Sequence, residues 1–305
     1  MKKIKLTGLG FYGCYWPVNG STSAIIAMLG DDCEDYMAKC AVKWLQNKFG
    51  ISVMTLSPAH KNYGHHSMPI ERIGAAIRYM KKRGISKFAV TGASTTGMLS
   101  LLAASYYPDI TLTIAMTPCD FVMEGFYCGK RDGYGEWPGE NESTVTWEGK
   151  PLPYLPYAYR HPDYGRMLKK EAKEGGDMVA SRKMFDESER LHPLSEEEMI
   201  KVENIKGRLL IIGAEDDVLW DTAKYIRRIK ERLDSKPHDC KVKACIYKHG
   251  THFVFPEGMV RYILPVGSDL ITAVFRAGRE YPKECRRARI DIDRRITAAI
   301  KAWKA

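Results

Sequence analysis

Residues 23–116 alternate between two kinds of apolar pattern. Compact apolar runs predict buried strands at 23–29, 51–56, 87–91 and 111–116. Between these runs, apolar residues recur at three- and four-residue spacing, which predicts a helix from Glu34 to a stop at Gly50 and a helix at 70–82. The apolar segment 98–107 is predicted as a further helix. Strands that alternate with helices at such short intervals form βαβ units, and these build a mostly parallel sheet flanked by helices. The sequence therefore predicts the α/β class.

The alternation resumes near the C-terminus, with predicted strands at 208–212 and 241–247 and predicted helices at 222–233 and 283–303. Between 120 and 206 it breaks, and residues 126–164 are rich in Gly, Pro, Tyr and Trp. A structureless loop of that length is uncommon inside a compact domain. We therefore expect a single domain over 1–305, with a lid or cap inserted at 120–206.

The composition excludes several classes of protein. With 305 residues, 45% of them hydrophobic, the chain can bury a large core, which excludes disordered, collagen-like and small disulfide-rich proteins. The net charge of +10 is compatible with a nucleic acid, an anionic membrane or a phosphate-bearing substrate. Basic clusters at 81–83, 227–232 and 286–295 fall on predicted helices, so we expect solvated helix faces. Without zinc-finger, heptad or RNA-binding signatures, no nucleic-acid partner is expected.

The sequence also bears on location and cofactors. No apolar run approaches the roughly 18 residues of a membrane span, and no apolar stretch of a signal peptide follows the N-terminal lysines. The eight cysteines are scattered without a CxxC pair, so we expect reduced thiols in a cytoplasmic protein and no disulfide framework or zinc site. His65 and His66 lack neighbours at ligand spacing, which indicates a polar loop and no metal. The absence of GxGxxG and P-loop motifs predicts no nucleotide cofactor.

The segment Gly92-Ala93-Ser94-Thr95-Thr96-Gly97 lies between a predicted strand and a predicted helix. A serine on such a strand–turn–helix elbow is held in a strained, exposed position, where it can act as a nucleophile. The usual pattern is GxSxG. Here Thr96 stands at the second glycine position, and the glycine follows one residue later.

Two further strand ends carry the residue types that would activate this serine. The acidic turn Glu215-Asp216-Asp217 follows one predicted strand, and His252 follows the next. The carboxyl ends of parallel strands meet at one edge of the sheet, and the order Ser, acid, His is that of a hydrolase triad. Ser94 is thus predicted to attack and His252 to accept its proton. The spacing leaves Asp216 and Asp217 equal as the acid, and His249 is interpreted as a surface residue.

Several stretches resemble one family. KFAVTGASTTGMLSLLAASYYPDITLTIAMTPCDF, starting at Lys87, is similar to the elbow and following strand of the C-terminal catalytic domain shared by acyl-CoA thioesterases and bile acid-CoA:amino acid N-acyltransferases. MIKVENIKGRLLIIGAEDDVLW resembles its acidic-turn block, WEGKPLPYL its lid segment and Gly250-Thr251-His252 its histidine loop. The likeness covers most of residues 20–305. It implies an α/β-hydrolase fold with an inserted lid.

The resemblance also implies roles for individual residues. It places the nucleophile on Ser94 and the base on His252. The acid falls on Asp217 when counted back from Trp220 and on Asp216 when counted forward from Gly213, and Asp217 is preferred because the Trp anchor lies nearer. Oxyanion-hole donors are expected from the backbone at Thr95 and at Asp31. The aminoacyl-transferring members of the family use a cysteine nucleophile, so a serine favours transfer to water.

These observations predict a serine hydrolase that cleaves a small-molecule thioester, such as an acyl-CoA, or an ester through an acyl-enzyme on Ser94, without a cofactor. The alternatives are a carboxylesterase or small peptidase acting on an uncharged substrate, acyl transfer to an amine, and a non-catalytic ligand-binding protein on a hydrolase scaffold. Thr96 and the acidic pair Asp31-Asp32 motivate the last of these. A homodimer is compatible with the sequence, although nothing in it marks an interface.

Overall fold

The computed structural model describes residues 3–8, 10–29, 32–58, 64–128 and 136–305. The strands in these ranges are β1 (Ile4–Leu6), β2 (Gly13–Trp16), β3 (Ser23–Met28), β4 (Ser52–Leu56), β5 (Met68–Pro69), β6 (Lys87–Ala93), β7 (Ile110–Met116), β8 (Glu124–Cys128), β9 (Glu136–Ser143), β10 (Val145–Trp147), β11 (Lys150–Pro151), β12 (Arg208–Ala214) and β13 (Lys241–Tyr247).

The α-helices of the same ranges are α1 (Tyr36–Phe49), α2 (Glu71–Lys81), α3 (Thr95–Tyr106), α4 (Asp163–Gly175), α5 (Arg182–Leu191), α6 (Thr222–Ser235), α7 (Glu257–Ile263), α8 (Arg276–Glu280) and α9 (Pro282–Lys304). Two short 3₁₀ helices lie at Val202–Asn204 and Ser268–Ile271. Among the helices of the described residues, none is both long and apolar enough to cross a lipid bilayer.

The centre of the molecule is an eight-stranded sheet in the order β1-β2-β4-β3-β6-β7-β12-β13. The six strands from β4 to β13 in this order run parallel, whereas β2 is antiparallel to both of its neighbours. Every residue of β3 and β4 is buried, as expected for parallel strands covered on both faces. The predicted parallel sheet is confirmed, and the predicted strands agree with the observed bounds to within two residues. β1 and β2 were not predicted.

Helices cover both faces of this sheet. Apolar side chains of α2, α3 and α6 pack in one core layer, and those of α1, α7 and α9 pack in the other. The residues at the two ends of α1 explain where this helix begins and ends. The Asp35 side chain accepts a hydrogen bond from the Ala38 N–H at 2.7 Å, and Gly50 closes the helix in the left-handed conformation, with φ of 59°.

Residues 120–206 connect β7 to β12, and their described part adds no strand to the large sheet. Instead, β8 pairs with β9, while β10 pairs with β11 and with β5. Helices α4 and α5 follow in the same segment. Its strands were not predicted. β10 and β11 have only three and two residues, too few to show a period, and the sequences of β8 and β9 show no regular alternation of apolar residues. The predicted break in the strand–helix alternation is confirmed.

The expectation of solvated basic helix faces is wrong at three arginines. Arg228 on α6 binds both Asp120 and Glu189. The side chain of Arg232 is only 9% exposed, and that of Arg289 on α9 is fully buried. Carboxylates on neighbouring elements hold these guanidinium groups, so they join helices to the rest of the fold instead of facing water.

Candidate active site

Ser94 sits on a sharp turn between β6 and α3. Its backbone angles are φ 61° and ψ −132°, a conformation that non-glycine residues rarely adopt. Two flanking glycines permit the turn. A side chain at Gly92 would place its Cβ 2.1 Å from the Thr96 carbonyl oxygen, and one at Gly97 would place it 2.5 Å from the Met116 carbonyl oxygen. The close backbone crossings of this elbow therefore fall on Gly92 and Gly97.

Thr96, which replaces the usual elbow glycine, has a contact of its own. Its Oγ1 lies 2.6 Å from the Met28 carbonyl oxygen and donates a hydrogen bond to it, and it accepts one from the Ala93 N–H at 3.0 Å. The threonine thus ties the elbow to the end of β3. The sequence showed Thr96 only as a departure from the usual glycine, whereas the structure shows that its hydroxyl group joins the turn to the neighbouring strand.

His252 and Asp217 form a buried pair at the ends of β13 and β12. The imidazole Nδ1 lies 2.8 Å from Asp217 Oδ2, and both residues are at most 3% exposed. A carboxylate only accepts hydrogen bonds, so Nδ1 is the nitrogen that donates to Asp217, and a neutral imidazole held in this way presents the lone pair of Nε2. Asp217 also accepts hydrogen bonds from the Leu219 N–H and the Thr222 hydroxyl. These contacts fix the carboxylate, which in turn fixes the orientation of the imidazole.

The Nε2 atom of His252 is buried and makes no hydrogen bond to the described residues. His252 and Ser94 line the same cavity. The Trp220 ring packs edge-on against the imidazole at 4.8 Å between centroids, and its Nε1–H donates to the Thr117 carbonyl oxygen. The Thr117 hydroxyl lies between the Ser94 N–H and the His252 carbonyl oxygen, at 3.3 and 3.4 Å. Thr117 therefore connects the serine turn to the histidine loop.

Asp216 faces away from His252 and holds its loop instead. Its Oδ1 accepts hydrogen bonds from the N–H groups of Gly250 and Thr251 at 3.1 and 2.8 Å. Its Oδ2 lies 3.3 Å from His249 Nδ1, and burial raises the pKa of this carboxyl. Thr251 has a positive φ of 58°, so the clamp supports an unusual turn. The geometry thus separates the two adjacent aspartates that spacing had left equal.

The interpretation of His249 as a surface residue needs correction. Its side chain is 17% exposed, and its ring stacks on Tyr281 at 3.9 Å between centroids. Sequence spacing gave no sign of this contact because the two residues are 32 positions apart in the sequence. His249 belongs to the support of the histidine loop.

The oxyanion hole was expected to use backbone N–H groups at Thr95 and Asp31. Thr95 is the first residue of α3, where backbone N–H groups have no partner within the helix. Its position directly after Ser94 suits a donor to a developing negative charge. Asp31 lies outside the described residues.

The cavity that Ser94 and His252 line has a volume of about 440 Å³. Its described lining contains no Lys, Arg, Asp or Glu. His65 belongs to this lining, is 6% exposed and packs on Phe126 at 5.2 Å between ring centroids. The expectation that His65 belongs to a polar loop is therefore wrong, because its side chain lies among apolar groups of the cavity wall.

The sheet order, the elbow and the histidine loop define the α/β-hydrolase fold, and solved structures share it. The esterase Pf2001 of Pyrococcus furiosus is 12% identical, with 100% of this chain and 93% of that chain covered at a TM-score of 0.54. MGS-M1, an alpha/beta hydrolase enzyme from a Medee basin deep-sea metagenome library, is 14% identical, with 98% of each chain covered at a TM-score of 0.52. Likeness at this level shows the fold alone.

The chain belongs to the BAAT / acyl-CoA thioester hydrolase C-terminal family, whose sequence pattern matches residues 68–259. This membership confirms the resemblance found in the sequence. Together with the fold, it supports a hydrolase of the ester or thioester type. A comparison with curated proteins gives no match.

Replacing His65 should flatten the dependence of stability on pH. Burial lowers the pKa of His65 from 6.5 to about 4, so the unfolded chain binds this proton more readily. The stability that neutral His65 contributes is complete above pH 6.5 and is lost as pH falls toward 4. Between pH 7 and pH 4.5, the free energy of unfolding of the wild type should fall by about 2–3 kcal/mol more than that of His65→Gln. Urea unfolding measures this difference, and equal losses would contradict it.

Proposed function

We propose that this protein hydrolyses esters or thioesters of apolar acyl groups through an acyl-enzyme on Ser94. In this mechanism His252 is the general base and Asp217 is the acid of the triad. The observation that carries the proposal is the buried His252–Asp217 pair, whose Nε2 edge borders the same cavity as the strained serine. Activation of a serine requires a histidine whose Nε2 can accept the serine proton. A carboxylate that binds Nδ1 and is itself fixed by further hydrogen bonds holds the histidine in that tautomer.

In the first half of the reaction, Ser94 Oγ attacks the carbonyl carbon while its proton passes to His252 Nε2. The tetrahedral intermediate carries its negative charge on oxygen. The Thr95 N–H is one proposed donor to that oxygen, and the Asp31 N–H is the second. Each donor is worth on the order of 3 kcal/mol in the transition state. Collapse of the intermediate expels the alcohol or thiol, which takes the proton from His252.

In the second half, water attacks the acyl-enzyme while His252 Nε2 accepts its proton. The new intermediate expels Ser94 Oγ, which regains the proton, and a carboxylic acid leaves. Asp217 stays ionised throughout and stabilises the imidazolium formed in each half. Trp220 packs edge-on against the imidazole, and Thr117 joins the two loops, so both serve as positioning residues.

Residues 120–206 would act as a lid over this site. The segment supplies a large share of the cavity wall, including Phe126, Tyr157, Tyr164 and Phe185. Inside the segment, the fully buried carboxylate of Glu124 accepts hydrogen bonds from the Tyr157 N–H and the Arg160 guanidinium, which hold two parts of it together. Such a cover excludes water from the acyl group and strengthens the electrostatic interactions inside.

The described part of the lining, which contains no Lys, Arg, Asp or Glu, favours one class of acyl group. An apolar chain would bury its surface against Leu168, Met184 and Phe185, whereas a carboxylate in the same place would lose its hydration without gaining a cation from these described residues. The leaving group can be an alcohol or a thiol. The phosphates of an acyl-CoA would have to lie outside this lining. The same observation supports a carboxylesterase acting on uncharged esters as the second candidate.

A negative charge on the acyl chain should lower the kcat/KM for ester hydrolysis. We expect p-nitrophenyl butyrate to be hydrolysed with a kcat/KM at least about 100-fold above that of the p-nitrophenyl monoester of succinic acid, because burying an unpaired carboxylate costs several kcal/mol. Ser94→Ala should lose about 10⁴-fold or more on the neutral ester. Steady-state kinetics with both esters and with butyryl-CoA test this. Equal rates for the two esters would contradict the acyl class, and unchanged turnover in Ser94→Ala would contradict the nucleophile.

The two adjacent aspartates should respond differently to the same substitution. Asp217→Asn should lower kcat by about 10³- to 10⁴-fold, because an amide can stabilise neither the required tautomer nor the imidazolium. Asp216→Asn keeps an oxygen acceptor for the Gly250 and Thr251 N–H groups, so its loss of kcat should stay within about tenfold. Single-turnover kinetics compare the two, with thermal unfolding as a check on folding. A larger loss in Asp216→Asn than in Asp217→Asn would refute the assignment.

A further inference from the structure

A second group of reactive side chains lies outside the active-site cavity. Cys14 on β2 and Cys33, in the turn before α1, have their sulfur atoms 3.8 Å apart. Cys14 is fully buried and Cys33 is 6% exposed. The carboxylate of Glu34 completes the group, and the ligand atoms of the three residues all lie within 4.8 Å of one another. None of the three lines the cavity of Ser94.

The distances suit a tetrahedral cation. Two thiolates bound to one zinc ion at about 2.3 Å stand about 3.8 Å apart when the angle at the metal is tetrahedral. The observed separation of the Cys14 and Cys33 sulfurs is 3.8 Å. Beside Cys33 lies a small cavity of about 10 Å³, bordered also by Lys5 and Asp32. That volume is close to what one water molecule needs, so a water can serve as a fourth ligand.

The charges around the group are also compatible with a dication. Lys3 and Lys5 both form ion pairs with the Glu34 carboxylate. Carboxylates that bind metals are commonly held by such outer hydrogen bonds. Two thiolates and one carboxylate carry three negative charges. A dication and the two ammonium groups add four positive charges, and the Asp32 carboxylate beside the same small cavity supplies the fourth negative charge.

We propose that Cys14, Cys33 and Glu34 form a binding site for a thiophilic divalent cation of the zinc class, with water in the fourth position. Binding forms two metal–sulfur bonds and one metal–oxygen bond in place of three of the ion's bound waters, and it releases the two thiol protons to solvent. The cation would join β2 to the turn before α1, so it would stabilise the folded chain. The spacing of 19 residues between the cysteines hid this site from sequence patterns such as CxxC.

Metal titration of the reduced, chelator-treated protein tests the proposal. Co²⁺ is the probe, because thiolate-to-cobalt charge-transfer absorption reports sulfur ligation directly, and Zn²⁺ should then displace it. We expect one equivalent to bind. Excess Zn²⁺ should raise the unfolding temperature by roughly 3 °C or more. Cys14→Ser and Cys33→Ser should weaken binding by more than about 100-fold, since even outer-sphere partners of metal sites are worth roughly 10- to 100-fold.

Two further variants keep the test decisive if a cysteine variant fails to fold. Glu34→Gln retains both thiols and should bind with sulfur ligation but at least about tenfold more weakly. Cys40→Ser is the matched control, because its hydroxyl can keep the thiol's hydrogen bond to the Tyr262 carbonyl oxygen, and its affinity should be unchanged. Failure of the wild type to bind either metal overturns the site. The site is also overturned if the reduced protein binds no metal and glutathione disulfide oxidises Cys14 and Cys33 to a disulfide.

Discussion

The hydrogen bond between Asp217 and His252 is the interaction on which the rest of the site depends. It is 2.8 Å long, and both side chains are almost completely removed from water. The Asp217 carboxylate also accepts hydrogen bonds from the Leu219 N–H and the Thr222 hydroxyl, and these hold it in its orientation toward the imidazole. The parallel sheet makes the bond available, since it brings the ends of β12 and β13 side by side with all seven residue pairs in register. The clamp from Asp216 then fixes the loop that carries the histidine.

Much of the fold could be predicted from the sequence, and the reason is burial on both faces. Strands such as β3 and β6 are compact apolar runs, and the helices α1 and α2 between them show a clear period, so the strands, the helices and their alternation along the chain could be predicted. β1 and β2 were missed because they are short and follow no repeating unit. In residues 120–206, β10 and β11 are equally short, whereas β8 and β9 were missed because their sequences show no regular apolar alternation. Their pairing depends on tertiary contacts, such as that between β10 and β5, which a local pattern does not contain.

The site was predictable in kind but not in detail. The elbow at Ser94 and the order of acid and histidine follow from strand ends, whereas the choice between two adjacent aspartates does not. Neighbouring residues on a turn point in different directions, and only the tertiary fold shows that Asp217 meets His252 while Asp216 meets the backbone. Contacts between distant positions were equally hidden. The approach of Cys14 to Cys33 required the pairing of β2 beside β4, and the burial of His65 required the neighbouring Phe126.

The most direct test of the central claim, that Ser94 is an activated nucleophile, is labelling of the purified protein with a fluorophosphonate, followed by intact-mass measurement and peptide mapping. The proposal predicts one adduct, on the peptide that contains Ser94. It should be absent in Ser94→Ala and should form much more slowly in His252→Ala, because the serine then lacks its base. A folded wild-type protein that gains no adduct, or an adduct that persists in Ser94→Ala, would contradict the claim.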